Sequence, residues 1–168
     1  IDNDDSAITK AVQSNSNSSL VSASISGNTL TLDYESNQNG SATITVRGTS
    51  NGLTVDDSFT VTVTAVNDEP SFTKGLDITV NEDSGSSTTA NWATDLSKGP
   101  SNESSQSLTF SLSNNNTSLF SSQPAINSSG TLTFTPASNQ NGSATITVSL
   151  SDDGGISNGG VDTSSEQS

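Results

Sequence analysis

Short segments in which an apolar side chain alternates with serine or threonine recur along this chain. Thr29–Tyr34 puts Leu30, Leu32 and Tyr34 on one face and Thr29, Thr31 and Asp33 on the other. A period of two is that of a strand with one buried face. Residues 42–46 repeat the pattern with Ala42, Ile44 and Val46 inward, and residues 59–65 repeat it with Phe59, Val61, Val63 and Ala65 inward. Residues 8–12 form a weaker strand, and Asn51-Gly52 marks a hairpin turn of the type that tolerates positive φ. Further along, Phe72 and residues 78–80 suggest an opening strand, residues 88–92 an edge, and residues 108–112, 131–135 and 144–150 three more strands. Residues 95–106 read as a long loop, and residues 151–168, rich in Gly, Ser and Asp, carry no strand pattern. Helical spacing is not sustained anywhere, so the chain is all-β.

The chain also repeats itself. Residues 36–46 (SNQNGSATITV) return unchanged as residues 138–148, and Thr29-Leu30-Thr31-Leu32 before them is matched by Thr131-Leu132-Thr133-Phe134. A period of about 100 residues filled with short strands fits tandem β-sandwiches. The expected division is a first sandwich over residues 1–66, a linker over residues 67–71 and a second sandwich over residues 72–168. The strand around residues 78–80 has no counterpart before Ile1, and that over residues 59–65 has none after Asp162. Each sandwich is therefore expected to lack about one strand, leaving an unprotected sheet edge.

Composition narrows the function. Hydrophobic residues are 27% and aromatic residues 4%, which allows only shallow cores. Net charge is −14, with 18 acidic residues against Lys10, Arg47, Lys74 and Lys98. Such a surface repels phosphate backbones and anionic lipid and attracts cations, so no nucleic acid is expected as a partner. The sequence has no Cys, Met or His, which removes disulfides, thiolate chemistry and the common catalytic bases. No window is apolar enough to span a bilayer, so direct membrane insertion is not expected. The expectation is a protein that is not an enzyme.

Between the two repeats lies Val66-Asn67-Asp68-Glu69-Pro70, where Pro70 holds the backbone extended and three neighbouring side chains offer oxygen to a hard cation. This segment, with Phe72 and Val80-Asn81-Glu82-Asp83, resembles the joint of cadherin-like and Ig-like tandem repeats in large bacterial surface proteins. Trp92-Ala93-Thr94, Gly99-Pro100, Gln123-Pro124-Ala125-Ile126 and Asp152-Asp153-Gly154-Gly155 extend the resemblance over nearly the whole chain. Cadherins hold calcium with an LDRE motif, a DxNDNxP linker and a DxD motif in the following module. Leu32-Asp33-Tyr34-Glu35 is similar to the first, Asn67-Asp68-Glu69-Pro70 to the second, and Ser151-Asp152-Asp153 takes the place of the third. The resemblance therefore implies a weak Ca2+ site at Asp33, Glu35, Asn67, Asp68, Asp152 and Asp153. The departures are Ala65 where cadherins carry an acid, and Arg47-Gly48-Thr49 and Pro136-Ala137 where the two modules would carry further ligands.

Other acidic groups are weaker candidates: Asp2, Asp4 and Asp5 as an acidic loop, Glu82 and Asp83 as a turn, Asp56 and Asp57 as solvated carboxylates. Trp92 reads as a core or edge plug. The resemblance implies a non-catalytic extracellular stalk or adhesin segment at a bacterial cell surface. Its partners would be neighbouring repeat modules of the same chain, with cell-surface glycans or other adhesins beyond them. The alternative is a carbohydrate-binding module of a secreted polysaccharide-active protein, in which Trp92 and the Asn-rich loops would matter.

Overall fold

The computed structural model describes residues 8–168, which divide between Ala65 and Val66 into two units. Asp2, Asp4 and Asp5 lie outside the described residues. Among the described residues every regular element is a strand or a short 3-10 turn.

Unit 1 contains β1 (Thr9–Asn15), β2 (Val21–Ser26), β3 (Thr29–Tyr34), β4 (Gly40–Ser50) and β5 (Leu53–Val63). They form an antiparallel sheet in the order β1-β4-β5 and a separate β2-β3 hairpin. Leu20 and Val21 at the start of the hairpin and Ala42 and Ile44 on the sheet make one buried cluster, with Val12, Leu32, Val61 and Val63 packed against it. Removing a Leu, Val or Ile side chain from water contributes about 1.5–3 kcal/mol, so Leu20, Val21 and Ile44, packed with Ala42, organise the two layers. Asn51 (φ 51°) and Gly52 (φ 75°) both sit in the left-handed region that the tight β4–β5 reversal requires.

Alternation assigned Tyr34 and Phe59 inward, but they are 57% and 37% exposed. The hairpin strands have 6 residues each and the β4–β5 ribbon 11, so the ribbon outruns its cover, while Tyr34 is the last residue of β3, at the open end of the hairpin. Leu53 and Val55, nearer the tip, are left uncovered on the same face.

Unit 2 contains β6 (Ser71–Thr73), β7 (Ser87–Thr89), β8 (Thr94–Ser97), β9 (Thr109–Asn114), β10 (Phe120–Ile126), β11 (Leu132–Pro136) and β12 (Ile146–Ser151). The pairings are β10-β11-β7, β12-β9 and β6-β8, all antiparallel. Phe72, Ile126, Leu132, Val148 and Leu150, one or more from each pairing, close a common core with Ala93. The rings of Phe72 and Phe110 meet edge to face at 5.2 Å, the geometry that the aromatic quadrupole favours.

Three expectations change here. The opening strand is β6, at residues 71–73, while residues 76–80 form no strand. A strand that the pattern hides, β10, follows the 3-10 turn Thr117–Leu119; Pro124 and two register shifts against β11 break its alternation. The tail, read as strandless, lies along β12: Val148 exchanges both backbone hydrogen bonds with Gln167, at 2.8 and 2.9 Å, and Ser164 N–H donates to Leu150 O at 2.8 Å. Backbone groups make those bonds, and the polar side chains of the tail give no alternation from which to read them. The second sandwich thus has part of the closing strand it was expected to lack.

Candidate metal centre

The segment expected as a linker is built into unit 2. Pro70 is fully buried, and Asn67 joins three stretches of chain. Its Nδ2 donates to Asp152 Oδ1 at 2.9 Å and to Val161 O at 2.7 Å, and its Oδ1 accepts from Gln106 Nε2 at 2.6 Å. Val161 N–H donates back to Asn67 O at 3.0 Å. Asp68 N–H donates to Glu103 Oε1 at 2.9 Å.

Glu103 ends the 3-10 turn Ser101–Glu103, set up by Gly99-Pro100, and is 6% exposed. A β-carbon at Gly99 (φ 109°) would run into Glu103 Oε2, and one at Gly154 into Asn67 Oδ1. Asp152 Oδ1 also accepts from Gly154 N–H at 2.9 Å, closing the turn after β12. Asp153 Oδ1 accepts from Ser107 N–H at 2.8 Å and so ties that turn to the start of the β9 segment. Glu69 turns to the tail instead, where Oε1 accepts from Ser165 N–H at 2.8 Å.

Glu103 Oε2, Gln106 Oε1 and Asp152 Oδ2 are buried with no hydrogen-bond partner among the described residues. Buried polar atoms are nearly always satisfied, so three orphaned oxygens beside one short segment are unusual. All three are hard acceptors of the kind that calcium takes, and the residues present fit that ion chemically. Their number is modest: among the described residues no three acidic, His or Cys side chains are grouped as a metal site.

Asn67, Asp68, Asp152 and Asp153 thus fall at one end of unit 2. Asp33 and Glu35 belong to unit 1. Both are exposed, at the end of β3, and Glu35 N–H donates to Leu20 O at 3.0 Å. That is also the end of unit 1 at which β5 finishes, since Gly40 pairs with Val63.

Glu103 and Gln106 escaped the sequence reading because a polar loop without periodicity gives no sign of which side chain turns inward. The glycine and proline of Gly99-Pro100 were the available signal. Asp83 Oδ1 instead accepts from Asn139 N–H at 3.0 Å, at the other end of β12. Asp56, expected to be solvated, forms a two-pronged ion pair with Arg47, both contacts at 2.6 Å. Trp92 is half-buried against the core, and its Nε1 donates to Leu76 O at 2.9 Å.

Residues 66–165, more than half of the chain and most of unit 2, match the family of the cadherin-like domain. The chain belongs to that family. Cadherin-like domains act as adhesion or structural repeats and are generally non-enzymatic. The match begins at Val66, where unit 2 begins, so the segment that carries Asn67 and Asp68 is part of the cadherin-like domain itself. Neither curated proteins nor solved structures give a match to the chain. Among the described residues no helix is long and apolar enough to cross a membrane.

Proposed function

We propose that this chain is a spacer segment of a repeat-built extracellular protein at a bacterial surface, stiffened by calcium at the start of its cadherin-like domain. The observation that carries this reading is the set of buried, unpartnered oxygens on Glu103, Gln106 and Asp152 beside Asn67 and Asp68. Glu103, Gln106 and Asp152 would hold the ion through those oxygens. When bound, the ion supplies positive charge that neutralises carboxylates otherwise held close together at a cost.

The rest is done by the protein's own groups. Asn67 fixes the segment to the turn after β12, and the Asp68 N–H holds Glu103 in place, so little backbone has to be ordered when the ion arrives. Affinity is expected at about 10⁻⁴ to 10⁻³ M, the range of extracellular calcium modules. Calorimetric titration of the 1–168 protein with calcium, alongside small-angle scattering in calcium and in chelator, tests the proposal. Heat of binding together with a narrower spread of dimensions in calcium is the expected result. Absence of calcium uptake at millimolar concentration would remove the mechanism and leave the fold untouched.

A further inference from the structure

Each orphaned oxygen in unit 2 belongs to a side chain whose other polar atom is held. Asp152 Oδ1 accepts from Asn67 Nδ2 and from Gly154 N–H, both at 2.9 Å, while Oδ2 has no partner among the described residues. Glu103 Oε1 accepts from Asp68 N–H at 2.9 Å, while Oε2 has none. Gln106 Nε2 donates to Asn67 Oδ1 at 2.6 Å, while Oε1 has none. Two consecutive residues, Asn67 and Asp68, therefore grip one end of all three side chains.

Grip matters most for Gln106. A carboxylate offers an accepting oxygen at either end, so turning Glu103 or Asp152 over changes nothing. The carboxamide has a donating and an accepting end of nearly equal shape. Turned over, Gln106 would present N–H where Oε1 now lies. Its orientation is settled two side chains away. Val161 O and the Asp152 carboxylate both accept, so Asn67 turns Nδ2 to them, at 2.7 and 2.9 Å. That leaves Asn67 Oδ1 for Gln106, and only Nε2 can meet it. The backbone pins both ends of the relay: Val161 N–H donates to Asn67 O and Gln106 N–H to Glu103 O, each at 3.0 Å.

We propose that Asn67 is a positioning residue that fixes the polarity of Gln106, so that the site presents a third oxygen, and a neutral one, to a cation. The inference rests on the calcium reading above and adds the source of the ion preference. Calcium accepts amide carbonyl oxygens beside carboxylates, whereas magnesium is held by one or two carboxylates and keeps several waters. An oxygen-out Gln106 thus favours calcium over magnesium, and Asn67 enforces it as an outer partner of the ligands.

The first arm of the test needs no ion. In chelator, NMR of the nitrogen-labelled 1–168 protein should show the Gln106 side-chain N–H protected from exchange. Asn67→Ala should remove that protection while the core amides of Val148 and Leu150 keep theirs. An unprotected Gln106 side chain in the wild type would overturn the proposal, whether or not the variant folds. The second arm is calorimetric titration with calcium and with magnesium. Asn67→Ala should bind calcium at least about tenfold more weakly and lose preference for it over magnesium. Gln106→Glu has two accepting ends and needs no orientation, so in that background the same substitution should change calcium affinity by less than about threefold. Equal losses in both backgrounds, or an unchanged preference, would make Asn67 a structural brace and overturn its positioning role. A wild type that takes up no calcium would remove the calcium reading, and the spectra in chelator would still decide whether Asn67 orients Gln106.

Discussion

Asn67 Nδ2 lies 2.9 Å from Asp152 Oδ1, joining the first residues of unit 2 to the turn after its last strand across 85 positions of sequence. The contact turns a stretch that reads as a tether into part of a folded body. A neutral amide is well chosen for it. The same side chain donates to a carboxylate and a carbonyl and accepts from Gln106, which no carboxylate could do.

Asn67→Ala is therefore expected to destabilise unit 2 by about 1–3 kcal/mol, because it strands the partners of a half-buried side chain. Asn67→Asp should do at least as much in chelator, by setting a second carboxylate against Asp152, and should recover in millimolar calcium. Urea unfolding followed by Trp92 fluorescence, with calcium and with chelator, separates the two variants. Equal loss in both media for Asn67→Asp would count against an ion at this end.

The orphaned oxygens give a second test. Glu103→Gln and Asp152→Asn keep shape and remove charge, and each should weaken calcium uptake by roughly tenfold or more, given that the loss of one charged ligand costs more than about 1.4 kcal/mol. Calorimetry reads the change, and circular dichroism checks that the strands persist.

Space around Gly154 supports a third. A β-carbon there meets Asn67 Oδ1 and Gln106 Nε2. Gly154→Ala should cost about 1–3 kcal/mol through overpacking. The same substitution at Gly142, where nothing lies within 4 Å, meets no neighbour and acts only through its positive φ. Comparing the two denaturation midpoints isolates the crowding.

Arg47 and Asp56 make a pH prediction for unit 1. The Arg47 side-chain hydrogen bonds hold the Asp56 carboxyl below the usual carboxylate range, and the guanidinium charge adds to them. A group whose pKa is depressed on folding contributes stability that is present above its ordinary value and fades as pH falls through the depressed one. Asp56→Asn should remove that acid-side dependence and leave neutral-pH stability little changed, since the pair is exposed and screened by salt. Carboxyl chemical shifts followed through the acid range measure the titration directly.

The two isoleucines of the repeat provide the sharpest comparison. Ile44→Ala, in a fully buried site, should cost about 2–5 kcal/mol. Ile146→Ala, at the half-covered edge, should cost roughly half as much. Separate unfolding of the two units, read by amide exchange, tests the ratio.

Much of this was legible in the residues. The alternation in Thr29–Tyr34, and in the stretches that became β4, β5 and β12, placed strands correctly because burial on one face imposes a period of two. Asn51-Gly52 announced its turn because few residues accept positive φ. The repeat announced a module, and Asn67 and Asp68 were read as a linker that meets Asp152 and Asp153 at a joint; the structure brings Asn67 to Asp152 by building that segment into unit 2. Glu103 and Gln106 were not, since inward rotation of a loop side chain leaves no periodic trace. Tyr34 and Phe59 were misplaced inward because alternation names a face without saying how far the opposite layer extends.

Residues 36–46 and 138–148 mark the boundary between what sequence and tertiary structure each decide. Local order alone set which side chains point which way, because stereochemistry alternates Cβ directions along any extended chain. It also set the all-β class, through threonines and branched side chains that favour the pleat. Whether Ile44 or Ile146 became buried, and where each strand began, was decided only by the neighbouring strand. A backbone edge is satisfied by groups distant in sequence, and an apolar face is dry only when another layer covers it.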